Sequence, residues 1–389
     1  MPSKIKARGN GRYLLSVAVG YDTAGKQVVK TKTIKAAGER EAKREYNLFA
    51  AAVLKGEVGF TGKHKLGEFA SYWFHQYCQK TLAPKTQRSY KNQLEKRILP
   101  VLGYIPIEKL RPQHIMSFID NMQKQGKRFD GKPAKISGAS AEYSFRVLSS
   151  MLQDAVQWQV ISSNPCARVK PPTAKATPIN ILNENEIQKM LAVLGDEPLK
   201  YRMLVMLAID SGLRLGEIMG LQWKDLDMER GILKVTRTNQ ALRGKGIFTK
   251  KPKTLNSVRS IALSSSVMDL FKEYRKVQLE TQFMLGNKWV NTGWIFTKWN
   301  GEAMYPTTPS QWFQRFLKRQ GLPHMSFHGL RHLSATILIA LHVPLKNVSS
   351  RLGHADIRTT ANIYGLALQS VDKQAADKMD QYLKKMKCK

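Results

Sequence analysis

The sequence predicts a mainly α-helical chain with small β-sheets, divided into three modules. Three observations carry that expectation. Alternation of apolar and polar residues is confined to the first 35 positions and to short runs beyond residue 230. Apolar residues recurring every three or four positions dominate the rest. Two stretches without periodicity, 57–64 and 169–178, interrupt the chain. At 389 residues the chain is long enough for several hydrophobic cores.

The first module covers residues 1–62. Over 11–20, Tyr13, Leu15, Val17 and Val19 alternate with Leu14, Ser16 and Ala18; over 26–35, Val28, Val29, Thr31 and Thr33 continue the β-branched pattern. The turn residues Asp22-Thr23-Ala24-Gly25 join the two strands, and a helix over 39–54 carries Tyr46, Phe49, Ala50 and Val53. Lys30 and Lys32 fall on one face of the second strand, with Lys26 in line. Gly56, Gly59 and Gly62 mark a linker. Residues 63–170 read as four amphipathic helices, 66–80, 85–99, 112–125 and 139–158, which pack naturally as a bundle. Tyr90, Leu94 and Ile98 form the apolar stripe of the second, and Val147, Met151 and Ala155 that of the last. Lys85, Arg88, Lys91 and Lys96 lie on the leftover face, and Lys127, Arg128, Lys132 and Lys135 make 126–138 a basic loop. Residues 171–178, opened by Pro171-Pro172, form an extended linker.

The third module, 179–389, opens with Asn183 capping a helix and Glu186 three residues on, a capping-box pattern. Strands are expected at 231–238 and 257–263, with 244–254 between them. A helix beginning near His328 and carrying Leu330, Ile337, Leu338 and Leu341 stops at Pro344. Leu345, Val348 and Leu352 then mark a short helix ended by Gly353 as a left-handed cap, which leaves His354 on the turn beyond. Asp356 caps a further helix, with Tyr364 on it or just after it.

Lys and Arg number 63 against 29 Asp and Glu, a net charge of +34, with a pI near 10.1. So basic a folded chain implies a polyanionic partner, nucleic acid before membrane. The longest apolar runs, 203–209 and 336–341, are far too short to span a bilayer. The N-terminus lacks a signal-peptide core, which implies a protein that stays where it is made. Cys78, Cys166 and Cys388 are scattered, which argues for a reducing compartment and against a zinc site or disulfide framework. A phosphate-cradling Walker loop and a His/Cys metal cluster are both missing from the sequence.

Chemistry concentrates in 326–364. His328, Arg331, His354 and Tyr364 supply two imidazoles, a guanidinium that grips phosphate with two prongs, and a phenol able to attack it. His332 follows Arg331 directly, so it is expected to face elsewhere on the helix. Upstream, Asp210-Ser211-Gly212-Leu213-Arg214-Leu215-Gly216-Glu217-Ile218 supplies a second arginine. Lys251-Pro252-Lys253-Thr254, followed by Ser257 and Arg259, lies between the two. Strand alternation separates Lys250 from Lys251 and Lys253 but does not choose between the latter two.

The His-x-Leu-Arg-His, Leu-Gly-His and Thr-Thr pattern, with a tyrosine ten residues after the last histidine, resembles the tyrosine recombinases of the phage-integrase type, as does the upstream arginine box. The resemblance implies that Arg214 and Arg331 neutralise the scissile phosphate. It implies that Tyr364 attacks to give a 3′-phosphotyrosine, and that His328 and His354 assist. Glu217 would fix Arg214. The Lys-Thr pattern points to Lys253, with Lys251 as the alternative, as the acid that protonates the leaving 5′ oxygen. Such chemistry keeps the bond energy for rejoining and calls for no cofactor, neither ATP nor metal.

The resemblance further implies an arm-type DNA-binding domain at 1–62, a SAM-like core-binding domain at 63–170 and a catalytic domain at 179–389. Lys30, Lys32, Lys85, Arg88 and Lys91 are then candidate DNA contacts. The implied partners are double-stranded DNA at core-type and arm-type attachment sites, three further copies of the chain in a homotetramer, and accessory DNA-bending or excision proteins. The implied location is the bacterial cytoplasm, at the nucleoid, with the gene on a prophage or mobile element. Two rivals remain: a catalytically silent DNA-binding regulator, which the full residue set argues against, and a type IB topoisomerase-like enzyme, which the two-part N-terminal half argues against.

Overall fold

The computed structural model describes residues 5–21, 27–54, 64–124, 136–173, 180–242, 244–250, 258–354, 356–357, 379–380, 383–384 and 386. The chain divides into two compact units, Met1–Thr177 and Pro178–Lys389. The first unit begins with an antiparallel sheet in the order β1 (Ile5–Ala7), β2 (Arg12–Tyr21), β3 (Gln27–Lys35). Helix α1 (Glu39–Leu54) lies over it, with Phe49 packed on Leu15 and Val17. β1 is too short for its alternation to register in the sequence. The expected turn at 22–25 lies outside the described residues.

The register decides which face the sheet lysines occupy. Leu15 pairs with Lys32 and Val17 with Lys30, and directly opposed residues in an antiparallel pair share a face. Lys30 and Lys32 therefore lie on the helix-bearing side. Lys32 Nζ sits 4.0 Å from Glu45 of α1, while the side chain of Lys30 is outside the described residues. The opposite face carries Lys6, Arg12, Thr31, Thr33 and Lys35, all exposed.

The bundle follows. Helix α2 (Leu66–Trp73) runs on through a wider turn at Phe74–Cys78 into Gln79–Thr81. Helix α3 (Pro84–Gln93) does the same at Leu94–Ile98 before reaching Leu102. Helices α4 (Pro112–Gln123) and α5 (Gly138–Gln157) complete the group. Pro84 and Pro112 each occupy a first helical turn, where the missing N–H costs nothing. Phe69, Trp73, Ile98, Phe118, Leu148 and Met151 form the core. Trp73 stacks on Tyr77 and Tyr90 and donates from Nε1 to Asp154 at 2.5 Å, which satisfies its polar edge. Cys78 and Cys166 are buried, and burial pushes their thiols up to about 12.

The second unit starts at α6 (Glu184–Leu194), where Glu186 N donates to Asn183 Oδ1 at 2.9 Å and Asn183 N to Glu186 Oε2 at 2.8 Å, the expected capping box. Helix α7 (Leu199–Ser211) buries Met203, Leu204, Val205, Leu207 and Ala208 and forms the middle of the core. Short α8 (Leu215–Ile218) leads to a sheet in the order β4 (Leu226–Asp227), β5 (Ile232–Val235), β8 (Arg259–Ala262). The expected strand 231–238 is split in two. The chain leaves β5 at Val235, and Thr238 opens a separate hairpin, β6 (Thr238–Leu242) with β7 (Gly246–Lys250). Asn239 fixes the break: it is buried, donates to Met219 O at 2.8 Å and accepts from Thr249 at 2.8 Å. Helices α9 (Ser265–Leu285), α10 (Thr308–Arg319), α11 (Gly329–Ala340) and α12 (Leu345–Leu352) follow, with α9 and α11 packed on α7. Among the described residues no helix is long and apolar enough to cross a membrane.

Candidate active site

Two left-handed glycines shape the site. Gly212 closes α7 at φ +62 and Gly353 closes α12 at φ +69. Neither tolerates a Cβ: one at Gly212 would collide with Leu352, and one at Gly353 would come within 2.7 Å of Arg259 Nη1. Each glycine presents its carbonyl to an arginine from the other segment. Arg331 of α11 donates from Nη1 to Gly212 O at 2.7 Å, and Arg214, just before α8, donates from Nη2 to Gly353 O at 3.2 Å. The two arginines are thus anchored crosswise on elements more than a hundred residues apart.

Glu217 organises the charge. Its carboxylate accepts Arg214 N at 2.9 Å and Arg214 Nη1 at 3.0 Å. It also accepts Arg259 Nη2 at 2.9 Å and, more weakly, Nη1 at 3.4 Å. Glu217 is 3% exposed. Burial alone would raise its pKa, but the hydrogen bonds and charges of Arg259, then of Arg214, outweigh burial and hold the carboxyl below its usual range. One anion thus faces two guanidiniums, and the cluster keeps a positive excess.

Arg331 is 2% exposed, and among the described residues its Nη2 has no hydrogen-bond partner. Burial first, then Arg214, pushes its pKa down to about 9. It remains charged at neutral pH, as a desolvated cation with a donor to spare, which an incoming anion would satisfy. His328 caps α11 and His354 stands just past Gly353. Burial, followed by His332, Arg331 and Arg214, depresses His328 to about 4, although the residue as a whole is exposed. Burial followed by Arg331 and Arg214 does the same to His354. Both imidazoles are therefore neutral at physiological pH, each able to donate with one nitrogen and accept with the other.

The structure brings together Arg214, Glu217, His328, Arg331 and His354. Lys253, its alternative Lys251 and Tyr364 lie outside the described residues. In the first unit Lys85, Arg88 and Lys91 lie exposed along one face of α3, with Lys91 3.6 Å from Glu95. Two residues near the site were assigned no role by sequence reasoning. His332, expected to face elsewhere, stands four residues after His328 and meets that ring edge-on at 4.8 Å between centroids, and the charge of Arg331 reaches it, so it belongs beside the cluster. Arg259 served in the sequence only as a landmark for the lysine. In the structure its side chain is 8% exposed and bound to Glu217.

Comparison with known proteins gives this geometry its context. The phage integrase family profile matches residues 180–369, and an N-terminal SAM-like domain of phage integrases matches 65–123. A tyrosine recombinase XerC-like protein of Caldanaerobacter subterraneus subsp. tengcongensis is 30% identical over 385 residues, covering 94% of this chain and 95% of its own. The ICEBs1 integrase of Bacillus subtilis is 26% identical, covering 97% of this chain and all of its own. Among solved structures, the Tn1549 transposon integrase in complex with transposon right end DNA has a TM-score of 0.67 at 20% identity, covering 80% of this chain and 99% of that one. A lambda integrase tetramer bound to a Holliday junction has a TM-score of 0.57 at 20% identity, covering 93% and 95%. The chain belongs to the phage integrase family and is a tyrosine recombinase, an enzyme that breaks and rejoins DNA in site-specific recombination.

Proposed function

We propose that Arg214, His328, Arg331 and His354 form the phosphate-binding half of the recombinase's active site, and that Tyr364 and Lys253 complete it. The single observation that carries this reading is the buried Nη2 of Arg331, without a hydrogen-bond partner among the described residues, in a cluster where the described carboxylates are too few to neutralise the arginines. A scissile phosphodiester supplies the missing charge. As the Tyr364 phenol oxygen bonds to phosphorus, negative charge grows on the non-bridging oxygens, where preorganised guanidiniums act most strongly. The bond to the 5′ oxygen breaks, and Lys253 gives that oxygen its proton. Cationic neighbours lower the lysine's pKa towards neutrality, which makes it an effective acid. His328 and His354, held neutral, accept the phenol's proton and donate to the phosphate.

The partner is duplex DNA, and the mobile DNA is that of a prophage or conjugative element in the bacterial cytoplasm. Residues 63–170 and residues 179–389 each bind core-type sites, Lys85, Arg88 and Lys91 contact phosphates there, and residues 1–62 bind arm-type sites. A crossover takes four strand cuts, one for each protomer of a homotetramer, an assembly in which the lambda integrase neighbour was solved. Accessory DNA-bending proteins set its direction.

Tyr364→Phe tests the assignment on a nicked duplex spanning the attachment site read from DNA flanking the gene. The variant binds as the wild type does and forms no covalent adduct. An adduct that survives denaturation in this variant would remove Tyr364 from the reaction.

A further inference from the structure

We infer that Arg259 is a positioning residue for strand cleavage, acting through Glu217 to keep Arg214 free to hold the phosphate. The inference rests on the role proposed for Arg214. Arg259 opens β8, where it pairs with Val235, and its guanidinium reaches three places at once. Nε donates to Arg351 O at 2.8 Å, on the last turn before Gly353 and His354. Nη2 and Nη1 take the two oxygens of Glu217 at 2.9 and 3.4 Å. At 8% side-chain exposure against 40% for Arg214, Arg259 is the inward member of the pair and Arg214 the outward one.

The division of Glu217 between them carries the argument. A buried carboxylate with Arg214 as its one cationic partner would pull that guanidinium into a full two-pronged pair and spend its charge. With Arg259 gripping the carboxylate from behind, Arg214 gives Glu217 a single side-chain donor, Nη1, and keeps Nη2 on Gly353 O. The same Arg259 ties the strand that follows the lysine segment to the turn bearing His354, so one side chain sets the spacing of three chemistry-bearing segments. Gly353 is the condition for this fit, because any Cβ there would meet the Arg259 guanidinium. A lysine could repeat the charge but not the fork.

The test uses the full-length protein and the nicked attachment-site duplex in two forms. One has an ordinary scissile phosphodiester; the other carries a methylphosphonate there, which lacks the negative charge that the arginines neutralise. Arg259→Met is expected to bind both duplexes within about threefold of wild type and to cleave the ordinary one roughly a hundredfold more slowly, the loss of about one preorganised donor. It should recover at least tenfold, relative to wild type, on the methylphosphonate. The double variant Glu217→Gln with Arg259→Met should be no slower than Glu217→Gln alone, since both act through one link. Multiplying losses, or the absence of methylphosphonate recovery, overturns the inference.

Arg214→Ala run beside it separates the two levels of the argument. If Arg214→Ala recovers on methylphosphonate and Arg259→Met does not, the role of Arg259 fails alone. If Arg214→Ala fails to recover, the phosphate-binding role of Arg214 falls and takes this inference with it. Should Arg259→Met unfold, Arg259→Lys carries the same test, because it keeps the charge and loses the two-pronged grip.

Discussion

The lysines of α3 and the arginines around Glu217 carry the same charge in opposite surroundings. Lys85 and Lys91 are exposed in water and salt, and Lys91 has its own acid one helical turn away at Glu95. Their fields fade within a Debye length, about 8 Å at physiological salt, and any one of them is replaceable. Arg331, at 2% exposure, and Arg259, at 8%, stand in a desolvated cluster built round Glu217. Charge there is unscreened, fixed in place and costly to leave unmatched. On the function proposed above, charge in the first region attracts a polyanion from a distance, and charge in the second is stored, at some cost to stability, against the phosphate of the substrate.

The sharpest way to break this contrast is Arg331→Ala. Cleavage should fall by about 10³ or more, the upper range for removing one preorganised donor, while DNA affinity changes only a few-fold. Single-turnover cleavage and filter binding on one duplex measure the two separately, and a parallel loss of affinity would place Arg331 in the same class as the α3 lysines. Next comes Glu217→Gln, which leaves Arg259 buried without its counter-charge. A stability loss of about 3 kcal/mol is expected from removing one partner of a buried pair, read as a lower urea midpoint at unchanged slope. A midpoint within error of the wild type would mean that the cluster is solvated after all.

The third prediction uses the histidines. His328 and His354 titrate near 4 in the folded chain against an ordinary 6.5. Between those values the unfolded chain binds protons that the folded site refuses, so the two residues make stability fall as pH drops from 6.5 to 4 and contribute no slope above 6.5. His328→Gln with His354→Gln should flatten that part of the urea-midpoint profile. An unchanged profile would show that neither burial nor the cationic neighbours depress these rings. The smallest effects belong to α3: Lys85→Ala or Lys91→Ala should shift stability by under about 0.5 kcal/mol. Each should weaken binding a few-fold on every sequence and lower the salt slope by about one. A sequence-selective loss would turn a phosphate contact into a base contact.

Much of this was legible from spacing alone. The helix over 39–54, the bundle helices, the Asn183–Glu186 box and the Gly353 cap all follow from local rules that burial did not override. What escaped was whatever depends on a partner distant in sequence. Lys30 and Lys32 do share a strand face, but only the register against Leu15 and Val17, and the helix on those residues, shows that it is the helix-bearing one. Asn239 splits a predicted strand through a bond to Met219, twenty residues back. Arg259 reads as a landmark until Glu217, forty-two residues away, comes into contact. His332 was the avoidable omission, since a spacing of four from His328 is itself a helical signal.

The crosswise anchoring of the two arginines bears on when, during synthesis of the chain, the cluster can form. Arg214 leaves the ribosome long before Gly353, and Arg331 cannot dock until Gly212 has closed α7. A growing chain that has emerged only as far as the first arginine holds a cation with nothing to aim it. Arg214 reaches its second anchor only once the chain through Gly353 has emerged, so a chain cut short before that point cannot complete the crosswise pair.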